Sequence, residues 1–174
     1  MRHVHREGVY FRVCDPDWTD CGDTSHNRRM GGRWNPRGRF GALYLNATRE
    51  VAAANARVNF AGEMHLLHDL RPEYRPDLQS FEVPAAEYLD AVTPEGVAEL
   101  GLPAGYPGRV GWRRCQAVGL AAYEAGEPGV ACRSAAEADA GDWVGEELAL
   151  FDRGGAGTGA RPRRRLKFSR WYPE

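Results

Sequence analysis

Arg33, Tyr44 and Asn55 stand eleven residues apart in the segment GGRWNPRGRFGALYLNATREVAAAN, residues 31–55. An arginine presents a rigid fork of donors that matches phosphate oxygens. A tyrosine offers a ring face and a hydroxyl, and an asparagine offers one amide that both donates and accepts. Local structure must bring them together. The Gly31-Gly32 turn delivers Arg33, and a short apolar strand, Ala42 to Leu45, carries Tyr44. An alanine-rich helix over about 49–60 carries Asn55, with Thr48 placed to cap the free N–H groups of its first turn. Val51, Asn55 and Val58 fall at i, i+4 and i+7, so they share one helix face that is otherwise apolar. A cation, an aromatic and an amide converging in this way suit a phosphate-bearing, ring-containing ligand better than they suit packing alone. Each residue also has a plain structural use: Arg33 as a turn cap, Tyr44 as core, Asn55 as a buried amide that fastens its helix.

The elements around this segment are short. Val9 to Val13 reads as a first strand that places Arg12 among alternating apolar residues, and residues 14–30 read as a polar loop. His65 to Leu70 fits a strand or a helix equally. Gln79 to Val83 predicts a strand ending at Pro84, followed by a short helical or extended piece over Ala86 to Leu89. Pro94 to Leu100 predicts one or two helical turns stopped by Gly101 and Pro103. Arg113 to Ala125 is the second clear helix, with Cys115, Val118, Ala122 and Ala125 at helical spacing and Gly126 as its stop. Gly129 to Cys132 predicts a strand leading to Arg133 and Ser134, where Ser134 could be a turn residue. Glu147 to Phe151 is another strand, and Arg165 to Trp171 a last one. The connector GGAGTGARP lacks the strand before and helix after that a dinucleotide fingerprint requires, so a Rossmann reading is rejected. Mixed short-stranded sheets around two main helices predict an α+β fold. One compact domain over 1–174 is expected, with 161–174 as a basic C-terminal strand or tail.

Composition narrows the function classes. The chain has 174 residues, 43% hydrophobic and 27% charged, with a net charge of −1, an ordinary balance for a water-soluble domain with its own core. No apolar run approaches the ~20 residues of a membrane span, and the first residues lack an apolar signal core, so a cytoplasmic location is expected. The four cysteines (Cys14, Cys21, Cys115, Cys132) form no CxxC pair and read as free thiols. Combinations of Cys14 and Cys21 with His26, or of His65 and His68, match no standard zinc spacing, so no metal is expected. The last fourteen residues carry six Lys/Arg against Glu174, leaving an acidic body. A nucleic-acid partner is therefore disfavoured, and the basic stretch reads as a solvated edge or tail.

These pieces together resemble the RES domain family. YFRV with Arg12 looks like the family's opening strand, and GGRWNPRGRFGALYL, with Arg33 and Tyr44 in place, looks like its signature. Leu78 to Pro84, then YLD and LGLP, are similar to its middle section. GVACRSA with Ser134 and ELALFD are similar to the segments that close it. The resemblance implies a fold like the ADP-ribosyltransferase toxins, NAD as substrate or ligand, and an Xre-like antitoxin as partner. Family members break the nicotinamide–ribose bond and pass ADP-ribose to a protein, to water or to phosphate. By position, Arg12 and Arg33 would hold the diphosphate, Tyr44 would orient the nicotinamide ribose end, and Ser134 would hydrogen-bond within the same pocket.

The sequence departs from the family at one position. The family glutamate sits eleven residues after the tyrosine, where this chain has Asn55. Breaking the C–N bond builds positive charge on the ribose, which a carboxylate stabilises. Asparagine keeps the hydrogen bond and loses the charge. Two readings stay open: an enzyme that splits NAD with Asn55, Ser134 and Arg33 at its centre, or a degenerate module that binds NAD, an ADP-ribose-like ligand or a protein. On this evidence Asn55→Glu is expected to raise cleavage. Glu50 and Glu63 could substitute only poorly, because on an ideal helix they lie about 140° and 80° away from Asn55. Glu146 and Glu147 approach Ser134 in sequence, without a placement.

The basic tail generates a first prediction. It has neither a recognition helix nor a stacking platform, so any nucleic-acid binding should be weak and should fall steeply with salt. Fluorescence anisotropy with labelled duplexes across a salt series checks this. A tight, sequence-selective complex near physiological salt would contradict it.

Overall fold

A fifteen-residue strand, Asp77–Ala91, is the spine to which most of the sheet attaches. The computed structural model describes residues 1–61, 66–108, 110–136, 145–154 and 157–173. Its strands are β1 (His3–Cys14), β2 (Gly41–Asn46), β3 (Asp77–Ala91), β4 (Gly129–Arg133), β5 (Glu146–Asp152) and β6 (Arg161–Leu166). Its α-helices are α1 (Ser25–Met30), α2 (Arg49–Asn59), α3 (Pro94–Glu99) and α4 (Trp112–Glu124). The strands form one mixed sheet in the order β1-β2-β5-β4-β3-β6, and β1 also pairs with β3. Five strands therefore close on themselves and β6 is added at the rim. The α+β class expected from the sequence is the class observed.

Alternation along the strands explains the two cores that flank the sheet. On β2 and β5, Ala42, Ala149 and Phe151 face a layer that contains Trp34, Tyr106, Cys115 and Ala122. The intervening Leu43, Leu45, Leu148 and Leu150 face Tyr10, Phe81, Val83 and Tyr88 inside the curve. A third cluster packs Ala52, Ala53 and Ala56 of α2 against Leu78, Phe168 and Trp171. α4 buries only small residues, Cys115, Gly119 and Ala122. That lets it approach the turn after α1 so closely that a Cβ on Gly119 would overlap the Trp34 carbonyl.

Several boundaries differ from the sequence reading, each for a physical reason. β3 does not end at Pro84. It runs through it, because the register with β1 shifts between Arg6 and Gly8. Gly8 there adopts φ +99, and a residue without an N–H is tolerated where the ladder is already interrupted. The polar segment 14–30 holds a helix, α1, that buries none of its residues, so no apolar period announced it. Cys14 and Cys21, expected as free thiols, form a disulfide with Cα atoms 6.0 Å apart, which removes them as metal ligands. Cys115 and Cys132 are free and buried. The last strand is Arg161–Leu166, with a 3-10 turn at Phe168–Arg170 behind it, earlier than the expected Arg165 start. Thr48 caps α2 as expected, accepting from the Val51 N–H at 3.2 Å. His65 and Glu63 lie outside the described residues. No helix among the described residues is long and apolar enough to cross a membrane.

The close approach at Gly119 gives a second prediction. Gly119→Ala must push α4 away from the Trp34 turn, and overpacking of this kind costs about 1–3 kcal/mol or more. Urea unfolding should show a lowered midpoint with an unchanged slope. An unaltered midpoint would mean that α4 shifts freely.

Candidate functional site

Tyr44 organises the turn that carries Arg33. Its hydroxyl accepts from the Trp34 N–H at 2.8 Å and donates to Asn35 Oδ1 at 2.8 Å. Asn35 in turn donates to the Asn27 and Phe40 carbonyls at 2.9 and 3.1 Å. Gln116 of α4 donates to the Gly32 carbonyl at 2.8 Å. Glycine is required at position 32 because a Cβ there would stand 2.6 Å from both the Tyr44 hydroxyl and Asn35 Oδ1. Burial drives the Tyr44 phenol pKa well above its ordinary value. The hydroxyl is thus a neutral structural bridge, while the ring remains in the wall of a cleft.

That cleft has a volume of about 440 Å3, within the range of small-ligand sites. Arg12, Arg33, Tyr44, Asn55 and Glu147 are among its lining residues. Half-exposed Trp18, Val58 and Trp112 form an apolar part of the wall. Arg33 Nη1 is buried and has no hydrogen-bond partner among the described residues. The guanidinium extends from the cleft wall towards the buried Cys115 and Tyr106, and its charge opposes the rise that burial gives both of their pKa values. Arg12 is more heavily engaged. It donates to the Cys21 carbonyl at 2.6 Å and lies over the Trp18 ring at 5.3 Å. Burial lowers its pKa, opposed by Asp23 and Asp20.

Asn55 and Ser134 meet through a third residue. Asn55 Nδ2 donates to Asn46 Oδ1 at 2.5 Å and to Glu147 Oε1 at 2.8 Å. Ser134 Oγ donates to the same Glu147 oxygen at 2.7 Å, and accepts from the Ala136 N–H at 3.2 Å. Strand register explains the meeting: Glu147 of β5 pairs with Asn46 of β2 on one side and with Cys132 of β4 on the other. The Cys132 thiol has its pKa raised by burial first and by the Glu147 carboxylate next. Ser134 is itself buried and stands behind Glu147 rather than in the cleft wall.

The arrangement thus brings Arg12, Arg33, Tyr44 and Asn55 into one wall, with Ser134 one contact removed. Sequence reasoning raised Glu147 without being able to place it, and missed Asn46, Asn35 and Gln116. A signal was present. Glu147, Ala149 and Phe151 share one face of β5, and a carboxylate on the face that continues into an apolar core is out of place unless it has a use. Glu50, on α2, is fully exposed and does not line the cleft.

Comparison with known proteins follows the same lines. The RES domain family model matches residues 9–170. The NAD(+) phosphorylase MbcT of Mycobacterium bovis and that of Mycobacterium tuberculosis are each 35% identical over 102 residues, 55% of this chain and 51% of theirs. The match therefore spans about half the length of these relatives. The crystal structure of the M. tuberculosis MbcT–MbcA toxin–antitoxin complex superposes with a TM-score of 0.76 at 23% identity, covering 94% of this chain and 85% of that one. It supports the fold.

Crowding at position 32 supplies a third prediction. Gly32→Ala should displace the Tyr44 hydroxyl from Asn35, loosen the Arg33 turn and weaken ligand binding more than it lowers the unfolding midpoint. Nuclear magnetic resonance of the Trp34 amide reports the displacement directly. An unmoved Trp34 resonance would show that the turn stands without this bridge.

Proposed function

We propose, from a chain that belongs to the RES domain family, that this protein binds NAD in the Arg33–Tyr44–Glu147 cleft and splits its nicotinamide–ribose bond. The observation that carries the reading is one cleft whose lining joins the Arg33 cation, the Tyr44 ring and the Glu147 carboxylate. Arg33 serves the diphosphate, with Arg12 contributing from the same wall. The Tyr44 ring and the apolar rim receive the flat nicotinamide end. Exclusion of water by Trp18 and Trp112 strengthens each of these electrostatic contacts.

Phosphate is the favoured acceptor, because the relatives that match over half their length are named NAD(+) phosphorylases. The reaction is then a transfer of ADP-ribose to a phosphate oxygen with release of nicotinamide. The resemblance extends the proposal to a cytoplasmic toxin held in check by an antitoxin of the Xre type, and the structural neighbour was solved with its own antitoxin partner. Asn55 keeps a second reading alive: a module that binds NAD without cleaving it.

Incubation with NAD separates the two. Nicotinamide release that rises with added phosphate, with phosphorylated ADP-ribose as the second product, is the expected result. Binding without release selects the second reading. Arg33→Ala should weaken NAD binding measured by calorimetry by about 10- to 100-fold, the range for losing one charge-assisted contact. Unchanged affinity would remove Arg33 from the site.

A further inference from the structure

The family glutamate is replaced on α2 by Asn55, yet a carboxylate stands within one hydrogen bond of that position. We infer that Glu147, at the start of β5, supplies the catalytic carboxylate from the sheet beside α2, with Asn55 and Ser134 as its positioning residues. The inference rests on the proposed NAD chemistry and assigns it a residue.

Three observations carry it. First, Glu147 is the carboxylate among the described residues of the cleft wall. Second, its Oε1 accepts from both Asn55 Nδ2, at 2.8 Å, and Ser134 Oγ, at 2.7 Å. Its Oε2 has no partner among the described residues. One oxygen is fixed and the other is available to a ribose hydroxyl or to the charge growing beside it. Third, the same Asn55 nitrogen also donates to Asn46 Oδ1, and Asn46 is itself tied to the Phe11 carbonyl at 3.0 Å. The amide at position 55 is therefore oriented with its nitrogen towards Glu147, as a donor that favours the ionised carboxylate. A glutamate at 55 could not fill that role. The exchange of charge and amide between helix and strand keeps one negative charge at the centre of the cleft.

The bonds balance as follows. The glycosidic C–N bond breaks and its electron pair passes to the nicotinamide ring nitrogen, which becomes neutral. The ribose carbon takes up positive charge, stabilised by Glu147. A phosphate oxygen then forms the new C–O bond. Where water is the acceptor, it forms that bond and loses a proton to solvent. Glu147 is not consumed.

Four proteins test this: wild type, Glu147→Gln, Asn55→Glu, and the double exchange Asn55→Glu with Glu147→Asn. Nicotinamide release, calorimetric NAD binding and thermal midpoints are measured for each. Glu147→Gln should bind NAD within a few-fold of wild type and lose about 10²–10³ in turnover. Asn55→Glu, expected from the sequence to raise cleavage, should instead gain no activity, because it sets two carboxylates within hydrogen-bond reach. One of them then takes a raised pKa. Its midpoint should match wild type in acid and fall behind as pH rises towards neutrality, since a group whose folded pKa is raised loses stability as it is forced to ionise. The double exchange should recover both turnover and the neutral-pH midpoint. Full turnover in folded Glu147→Gln, with active wild type, overturns the role of Glu147 and leaves NAD cleavage standing. Higher turnover in Asn55→Glu than in wild type does the same. A wild type that releases no nicotinamide overturns NAD cleavage and, with it, the role of Glu147.

Discussion

The hydroxyl of Tyr44 is the joint between the core and the cleft. It lies between the Trp34 N–H and the Asn35 side chain, and these two residues are completely buried. Trp34 packs into the layer beneath α4, and Tyr106 approaches it edge-on at 6.0 Å between ring centroids. Arg33, one residue earlier, is left in the cleft wall. The turn is rigid because three of its polar groups are satisfied by side chains from β2 and α4, and a satisfied buried network fixes one geometry. Preorganisation of this kind is what a cation must have if it is to hold a ligand without first losing its own freedom.

The cleft holds charge of both signs. The guanidinium groups come from the first half of the chain, and the carboxylate comes from β5, in the middle of the sheet. Burial raises the pKa values of Cys132, Cys115 and Tyr106, so these groups stay neutral and add no competing anion. Arg33 pulls the thiol values down while Glu147 pushes the Cys132 value up. The same interior thus feels a positive and a negative source at once. A dinucleotide with an anionic diphosphate and a reacting ribose that turns cationic has that polarity.

How much of this was legible in the sequence depended on whether the signal was local. Gly31-Gly32, Arg33 and Tyr44 sit in one short segment, and the Thr48 cap and the helix after it follow from nearest-neighbour rules. Those features are where the structure and the sequence reading agree. α1 escaped notice because it buries nothing, and the continuation of β3 through Pro84 depended on a bulge in β1 some seventy-six residues away. Glu147 is the clearest case. Its partner at position 55 is 92 residues distant; the β2–β5 register sets Glu147 beside Asn46, and α2 brings Asn55 to both. The departure that the resemblance implies at position 55 reads as a loss in sequence alone, because Glu147 is adjacent to it in space and remote in sequence.

The basic C-terminal stretch shows the same principle from the other direction. Read as a run of charge, it suggests a surface for an acidic partner. In the fold, β6 lies antiparallel to β3, and Arg165 donates to buried Asp77 at 2.8 Å while Lys167 reaches the same oxygen at 3.0 Å. A carboxylate so deeply buried would be costly if left alone, and it is paired twice. Arg165 also donates to the carbonyls of Trp18, Asp15 and Pro16. It thereby fastens the loop whose Trp18 lies in the cleft wall and beneath Arg12. By contrast, Arg163 and Glu82 meet at the surface, where an ion pair contributes little. One arginine in the run therefore ties the end of the chain to the rim of the cleft near its beginning, and the charge that looked outward in the sequence is partly spent inward, on holding the site in shape.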